Sequence, residues 1–425
     1  MKRIAIVAIA LVVILPWGCR KSTQEVQRPE KILSLRQVSY DHTSYVKLAE
    51  LWKRYYDVYP SEDAYANWMY AAHYADEPNS PTLLAQGVEK YPANPVLLDL
   101  AGMSKLNRQE IVEGTQLMEK SAALDPYYMD PWFGLVVAYL AEGDREKENG
   151  ALRKLLAGGA IEDAIIDLCY NMIASTDTNA ILVTNGDNDT FPCWILTRIV
   201  QFRPDVNIVN RPLLNTTWYQ REILKDGVTP FVTHSELDSL QVEVSRDGEK
   251  LKNGEIAAEK FVSLADRLVI RIVESARRAG RPVYFACTLE QNEMVMGFMN
   301  RGRRLGLVTL VTPPTKGYTE QVQGVFKTWV RDFRTVGLDS WQLHFASENR
   351  SSRQLVGNYI AALRRLSVQI QTADPAVRLS LFRWYRDHLL DYVQKVLLME
   401  VNSMWCGKNP PKEIDEWCKH QGLAK

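Results

Sequence analysis

Two polar stretches of the chain carry the side chains best suited to bind a ligand or a metal ion. The candidates for ligand binding are Asp187, Asn188, Asp189, Thr190, Asn215, Thr216 and Trp218. Carboxylates two residues apart, such as Asp187 and Asp189, offer hard oxygen ligands to Mg²⁺ or Ca²⁺. They can also act as an acid and a base when their pKa values differ. The indole of Trp218 is of a type that stacks on a sugar ring; the alternative, which we favour, is that it is buried under the sheet.

The same residues have a structural interpretation. Asp, Asn and Thr side chains accept hydrogen bonds from free backbone N–H groups at turns and helix starts, and Asp189 or Thr190 stands at an N-cap position before Pro192. The chain has no complete calcium loop, Gly-rich phosphate fingerprint, G-x-S-x-G or H-E-x-x-H motif. We therefore name no catalytic residue and expect no cofactor. If a metal ion binds, Asp187 and Asp189 are its predicted ligands.

Apolar runs place these polar stretches at the ends of predicted strands. Residues 180–184 and 206–214 have the composition of buried strands, and a helical pattern at 193–202 lies between them. Such a unit forms a right-handed crossover, with both polar stretches at the carboxyl edge where open sheets bind ligands. Further strands are predicted at 283–286 and 305–311.

These elements predict a Rossmann-like α/β domain with a mostly parallel sheet over residues 161–320. Within it, residues 232–254 contain the turn signal Asp247-Gly248 and are expected to hold a β-hairpin. Helical patterns at 352–368 and 378–403 predict a C-terminal helical region over 321–425.

The region before this domain contains a repeat of about 33 residues. Tyr59-Pro60, Tyr91-Pro92 and Asp125-Pro126 recur at spacings of 32 and 34, with pairs of helical patterns between them. Residues 40–160 resemble tetratricopeptide repeats, which implies an N-terminal α-solenoid with a concave surface for a protein partner. The aromatic residues that either line this groove or pack between helices are Trp68, Tyr70, Tyr74, Tyr127, Tyr128 and Trp132. Alternatively, the repeats only hold the next domain away from the membrane.

The amino terminus has the features of an export signal. Lys2 and Arg3 precede twelve apolar residues at 4–15, a run too short to span a bilayer, which takes about 20 residues. Residues 15–19, Leu-Pro-Trp-Gly-Cys, resemble the lipobox of bacterial lipoproteins. The resemblance implies a signal peptide over 1–18 and lipidation of Cys19, followed by a polar tether to residue 39. The alternative is an ordinary signal peptide with an incidental cysteine.

Four motifs of the middle region resemble a family of large bacterial membrane proteins. The motifs are GDNDTFP at 186–192, LLNTTWY at 213–219, RPVYFA at 281–286 and RRLGLVTLVTP at 303–313. Residues 165–370 are similar to the soluble C-terminal region of protein O-mannosyltransferase-like multi-pass proteins. The resemblance implies an exported setting and a link to glycan chemistry. We expect no multi-pass segment in this chain, so the resemblance does not imply glycosyl transfer.

The charge balance bears on the class of partner, and the cysteine positions bear on disulfide bonds and burial. Lys and Arg together number 51, as do Asp and Glu, so no charge excess points to nucleic acid. Cys406 and Cys418 are predicted to form a disulfide that closes a short loop. Cys169, Cys193 and Cys287 lie in apolar contexts and are expected to be buried.

Together these features predict an exported, lipid-anchored scaffold protein of the bacterial cell envelope that faces the periplasm. The membrane, through the anchor, and a protein bound by the helical repeats are its expected partners, with a glycan as a further candidate ligand. It would serve as an accessory factor in envelope or glycan assembly, and we favour a non-enzymatic role. The alternative is an enzyme, or a sugar- or metal-binding module, that uses Asp187, Asp189 and Asn215.

Overall fold

α-Helices make up most of the protein. The computed structural model describes residues 26–38, 40–407 and 409–423, so Cys19 and the predicted signal peptide lie outside the described residues. The protein is 63% helical, with 20 helices in the described part and a five-stranded sheet that holds 5% of the residues. The predicted Rossmann-like α/β domain with a mostly parallel sheet is therefore wrong. None of the described helices is long and apolar enough to cross a membrane.

The first seven helices occupy the region of the sequence repeat. They are α1 (His42–Val58), α2 (Glu62–Tyr74), α3 (Ser80–Lys90), α4 (Pro95–Asn107), α5 (Ile111–Leu124), α6 (Asp130–Glu142) and α7 (Arg145–Ala157). The side chains of Ser61, Asn94 and Asp144 accept backbone N–H groups at the starts of α2, α4 and α7. Helices α4 and α5 pack closely at two glycines. A Cβ on Gly114 would lie only 2.9 Å from the carbonyl oxygen of Gly102, which shows how near the two backbones are.

The middle region alternates helices with short strands. Its elements are α8 (Asp163–Ala174), β1 (Ile181–Thr184), α9 (Asp187–Trp194), β2 (Asn207–Asn210), α10 (Tyr219–Lys225), α11 (His234–Lys252), α12 (Leu264–Arg278), β3 (Val283–Ala286), α13 (Glu293–Arg301), β4 (Arg303–Leu305) and β5 (Val308–Leu310). Helix α9 continues as a π-helix over Ile195–Ile199, and 3-10 turns cover Pro212–Asn215 and Ala258–Lys260.

The sheet is mixed, which is one reason the predicted fold class fails. Its strand order is β2-β1-β3-β5-β4. Strand β1 pairs in parallel with β2 and β3, whereas β5 is antiparallel to both β3 and β4. The predicted single strand at 305–311 is in fact a hairpin, because Gly306, with φ of +77°, reverses the chain between β4 and β5. Two of the four pairings are therefore antiparallel.

The predicted β-hairpin within 232–254 is also wrong, because this segment forms helix α11. Thr233 and Glu236 form a capping box at its start, in which each side chain accepts the other residue's backbone N–H. Asp247 makes no turn but accepts a hydrogen bond from Arg267 of α12 at 2.6 Å. Local capping and helix–helix contacts outweigh the Asp-Gly turn signal here.

The carboxyl-terminal region is entirely helical over its described elements. These are α14 (Tyr318–Asp332), α15 (Trp341–His344), α16 (Ser351–Arg365), α17 (Ser367–Gln371), α18 (Pro375–His388), α19 (Lys395–Ser403) and α20 (Lys412–His420), with a 3-10 turn at Leu390–Tyr392. The helical pattern at 378–403 is thus divided between α18 and α19. A disulfide joins Cys406 to Cys418 in α20.

Buried apolar side chains form two clusters. One extends from Ile32 to Leu100 and lies among α1 to α4. The other extends from Met118 to Cys418 and includes α5 to α7, the sheet and the carboxyl-terminal helices. Helices α5 to α7 therefore pack in the same core as the sheet.

Candidate functional site

Residues 28–38, which we call the amino-terminal segment, run along the surface of the first helices. The side chain of Ile32 is buried, and its backbone N–H donates to Oδ1 of Asn67 at 3.3 Å. The N–H of Leu35 donates to the hydroxyl of Tyr70 at 2.8 Å. Side chains of α2 thus hold the segment through its backbone.

The segment lies in a depression that includes parts of α2, α4 and α6. A cavity of about 600 Å³ remains beside it. We call the surface around this cavity the groove; it is formed by Asn67, Tyr70, Asn94, Tyr128, Asp130 and Phe133. Of the aromatic residues proposed from the sequence as groove-lining, Tyr70, Tyr127 and Tyr128 line this cavity.

Arg36 joins the segment to the first turn of α9. Its guanidinium forms an ion pair with Asp187 and lies 4.9 Å from the ring centre of Phe133. Burial acts to lower the pKa of Arg36, but Asp187, Asp130 and the nearby Tyr70 and Tyr74 together outweigh it and the pKa is raised. The arrangement combines a charge pair with stacking on an aromatic face, for which arginine is better suited than lysine.

Two further carboxyl groups lie under the segment. Ser34 donates its hydroxyl to Oδ1 of Asp130 at 2.7 Å, and Tyr128 donates to Oδ2 of Asp99 at 3.1 Å. Oδ1 of the buried Asp99 has no hydrogen-bond partner among the described residues. Burial, reinforced by the charge of Asp130, raises the pKa of Asp99 to about 8. Burial raises the pKa of Asp130 as well, although Ser34 and Arg36 oppose this shift.

The loop at 186–189, the GDND loop, is tied to the backbone by Asp189. Its two carboxylate oxygens accept the N–H groups of Asn185 and Gly186, each at 2.8 Å, and it also accepts the hydroxyl of Thr288. Burial raises the pKa of Asp189, against these hydrogen bonds. The helix begins at Asp187, so Asp189 is its third residue and not the N-cap expected from the sequence. Asp189 stabilises the helix start.

The neighbours of Asp189 differ in their roles. The hydroxyl of Thr190 lies 2.7 Å from that of Thr184 and accepts the amide of Asn210 at 3.1 Å, so it links the ends of β1 and β2. Asn188 is half-buried and its side chain makes no hydrogen bond among the described residues. Asp187 is the member of the loop whose side chain turns to the amino-terminal segment.

The second polar stretch is also bonded to the backbone. Asn215 Oδ1 accepts the N–H of Ala265 at 3.0 Å, in the first turn of α12. Thr216 donates its hydroxyl to the carbonyl of Leu213 at 2.7 Å, and Trp218 is buried against Tyr219. Among the described residues no hydrogen bond or ion pair joins Asn215, Thr216 or Trp218 to the GDND loop.

Both loops fall in a stretch that resembles a known family. Residues 165–245 match the family model described as TMEM260-associated domain 2. The match fits a link to TMEM260-like mannosyltransferase proteins and loosely suggests a glycosylation-related context. It extends from α8 into α11 and does not reach the groove. A search of curated proteins gives no match to the chain.

An ion cluster connects α7 to residues 165–245, which we call the matched region. Glu148 of α7 is fully buried and accepts Arg145 at 2.7 Å and Arg198 of the π-helix at 2.6 Å. Both arginines also contact Asp226, at 2.8 and 2.9 Å. Burial raises the pKa of Glu148, and the two arginines oppose the shift. The π-helix thereby places Arg198 where it joins α7 to the matched region.

The carboxyl groups of this region show no arrangement for a metal ion. Asp187 faces Arg36, whereas Asp189 faces backbone N–H groups and Thr288. No group of three or more His, Cys, Asp or Glu side chains in the described ranges is placed to hold a metal ion. The chemistry of this edge, as far as the structure describes it, is charge pairing with the amino-terminal segment.

Sequence reasoning missed Arg36, Asp99, Asp130 and Phe133. Arg36 was assigned to a tether, although Ile32, Leu33 and Leu35 form an apolar patch within that polar stretch. That patch was the available signal that the segment packs against something. No local signal marks Asp99 or Asp130, because each lies in a helix of ordinary composition.

Proposed function

We propose that this protein is an interaction protein that binds a polypeptide segment in the groove and serves as an accessory factor in a glycosylation-related process. The observation that carries the proposal is the amino-terminal segment itself. The groove already holds a segment that is irregular up to Ser34 and forms a turn at 35–37, with backbone N–H groups bound by Asn67 and Tyr70 and side chains bound by Asp130 and Phe133. A surface that binds one such segment partly through its backbone is suited to bind another.

The setting we propose is the bacterial cell envelope, with the chain anchored through Cys19 and facing the periplasm. The support is the charged and apolar start of the sequence and its lipobox-like end. The amino-terminal segment follows this anchor closely along the chain. An anchor there would keep the groove near the membrane surface, where membrane-bound glycan assembly takes place.

The glycan link rests on the matched region. Its loops carry the motifs that resemble mannosyltransferase-like proteins, and their polar side chains cap helices and join strands. We therefore assign the matched region a positioning role: it supplies Asp187 to the amino-terminal segment and is joined to α7 through Glu148.

The experiment is site-specific photo-crosslinking in cells that make the full chain. A photoreactive amino acid replaces Tyr127, which is 93% exposed beside the groove, or Val396 of α19, which is 82% exposed and serves as the matched control. We expect a discrete cross-linked protein from position 127, absent from position 396, and loss of a glycan modification in cells that lack the chain. Identical cross-linking from both positions, or turnover of a nucleotide sugar by the purified protein, would contradict the proposal.

A further inference from the structure

We propose that the groove selects a basic peptide, which enters by displacing the chain's own amino-terminal segment. This inference rests on the proposed function and specifies its ligand and its control. The segment then competes with the partner for the groove, and its sequence indicates which residues the partner needs.

The first argument is how the segment is held. Besides the buried side chains of Ile32 and Val38, its described contacts are hydrogen bonds to side chains, two ion pairs, ring contacts and a single antiparallel bridge between Val38 and Arg350. The ion pair of Arg28 with Asp63, 2.7 Å long, leaves both side chains more than half exposed. Exposed pairs of this kind stabilise by about 1 kcal/mol or less. The first residues of the segment, from Arg28 onward, can therefore leave the groove without the unfolding of a helix.

The second argument is charge. Between residues 28 and 38 the segment carries three basic side chains, Arg28, Lys31 and Arg36, and one acidic side chain, Glu30. The surface that receives it presents Asp63, Asp130 and Asp187, and Glu62 also lines the cavity. An acidic surface favours a basic chain and disfavours an acidic one, because like charges placed together cost free energy.

The third argument is the depth of one side chain. Arg36 is 19% exposed, between the ring of Phe133 and Asp187, whereas Arg28 is 57% exposed. Ile32, which lies four residues before Arg36 in the sequence, has a buried apolar side chain. A competing peptide therefore needs an arginine in the place of Arg36 and an apolar residue in the place of Ile32.

The fourth argument is space. The cavity of about 600 Å³ beside the segment is bordered by Tyr127, Tyr128 and Gly158, and by the segment's own Leu33 and Ser34. An incoming chain can contact the groove there before the resident segment has left. Exchange can therefore proceed by stepwise displacement.

The test uses a labelled synthetic peptide of residues 26–38 as the probe, with Lys31→Gln so that a lysine-specific endoproteinase does not cut it. Its matched control carries a further Arg36→Glu change. The proteins are the full chain, the variant Arg28→Ala/Arg36→Ala, and that variant with Asp187→Asn added. Thermal melting shows that each protein is folded, and binding is followed by fluorescence anisotropy.

We expect the probe to bind the Arg28→Ala/Arg36→Ala variant at least tenfold more tightly than the unmodified chain, because the resident segment no longer competes. The Arg36→Glu control peptide should bind this variant at least tenfold more weakly than the probe, and Asp187→Asn should also weaken probe binding. Saturating probe should speed cleavage of the unmodified chain after Lys31 by this lysine-specific endoproteinase.

Equal probe affinity for the two proteins would overturn the inference, because no competitor would then occupy the groove. Equal binding of the probe and the Arg36→Glu control would overturn the basic specificity. If no peptide binds but position 127 still cross-links a discrete partner, the inference fails and the proposed function stands. If no peptide binds and position 127 gives no discrete cross-linked partner, the proposed function is overturned as well.

Discussion

Arg36 and Asp187 form an ion pair that joins the amino-terminal segment to the first turn of α9. The pair links the groove with the loop that sequence motifs marked as a candidate site. Asp187 is thus the residue of the matched region that pairs with the amino-terminal segment.

Removing this link should free the amino-terminal segment while leaving the fold intact. We expect Asp187→Ala to increase tryptic cleavage after Lys31 severalfold, with a loss of global stability of about 1 kcal/mol or less, because both side chains are partly exposed. Asp415→Ala, which breaks the exposed pair with Lys419, is the control and should leave that cleavage unchanged. Unaltered cleavage in Asp187→Ala would show that the ion pair does not retain the segment.

Asp189 should behave as a stabilising residue. The Asp189→Ala variant loses acceptors for two backbone N–H groups and for Thr288, and we expect it to lower the free energy of unfolding by about 2 kcal/mol. Asn188→Ala, next to it in the loop, should change this free energy by less than about 0.5 kcal/mol. Urea denaturation of both variants measures the difference. Equal stability of the two would argue against the capping role.

Asp99 should make stability depend on pH. Its pKa is raised in the folded state to about 8, against 3.8 for an ordinary aspartate, so the folded protein keeps a proton that the unfolded chain loses. The stability from this group is fully present below about pH 4 and falls as the pH rises to about 8. We expect Asp99→Asn to remove this slope, so that the variant gains in melting temperature over the unmodified protein between pH 5 and pH 8.

The control for this pH dependence is Asp57→Asn, since Asp57 lies on the surface in a pair with Lys53. Its melting temperature should follow that of the unmodified protein across the same pH range. Parallel curves for Asp99→Asn and the unmodified protein would mean that Asp99 does not carry the dependence.

Glu148 should hold α7 to the matched region. Glu148→Gln leaves Arg145 and Arg198 without a fully buried charged partner, and we expect a loss of about 3 kcal/mol in unfolding free energy. Glu146→Gln, on the exposed face of the same helix, is the matched control and should have little effect. Hydrogen exchange should locate the weakened contacts in α7 and the π-helix. Protection unchanged in both elements would refute this assignment.

The Cys406–Cys418 disulfide should stabilise the end of the chain. A crosslink across a separation of 12 residues contributes about 3 kcal/mol on a chain-entropy estimate. We expect Cys406→Ser/Cys418→Ser to increase hydrogen exchange in α20 while the sheet stays protected. Reducing agent should reproduce this effect in the unmodified protein and add nothing to the double variant. An effect of the reductant on the variant would point to a different cysteine.

Much of the local structure followed from the sequence. The helical patterns predicted in the repeat region correspond to observed helices, and the apolar runs predicted at 180–184 and 283–286 correspond to β1 and β3. These features depend on hydrophobic periodicity and on capping side chains within a few residues, which a sequence displays directly. The resemblance of the middle region likewise depended on contiguous motifs, and it agrees with the family match over 165–245.

Other features depended on contacts that the sequence does not display. The direction of β5 depends on the turn at Gly306 and on pairing with β3, and α11 depends on its cap and on contact with α12. The same limit applied to the site. Asp187, Asp189 and Thr190 lie in α9 and Asn215 ends a 3-10 turn, and the sequence did not show which partners these side chains contact.

The sequence alone thus determined which stretches form helices and strands, because those preferences act between near neighbours along the chain. Only the tertiary structure decided the mixed sheet and the burial of Asp99. It also brought Arg36 from the amino-terminal segment to Asp187, although the two are far apart in sequence. Such contacts depend on how helices and strands pack in space, and no local pattern encodes which distant partner a side chain will meet.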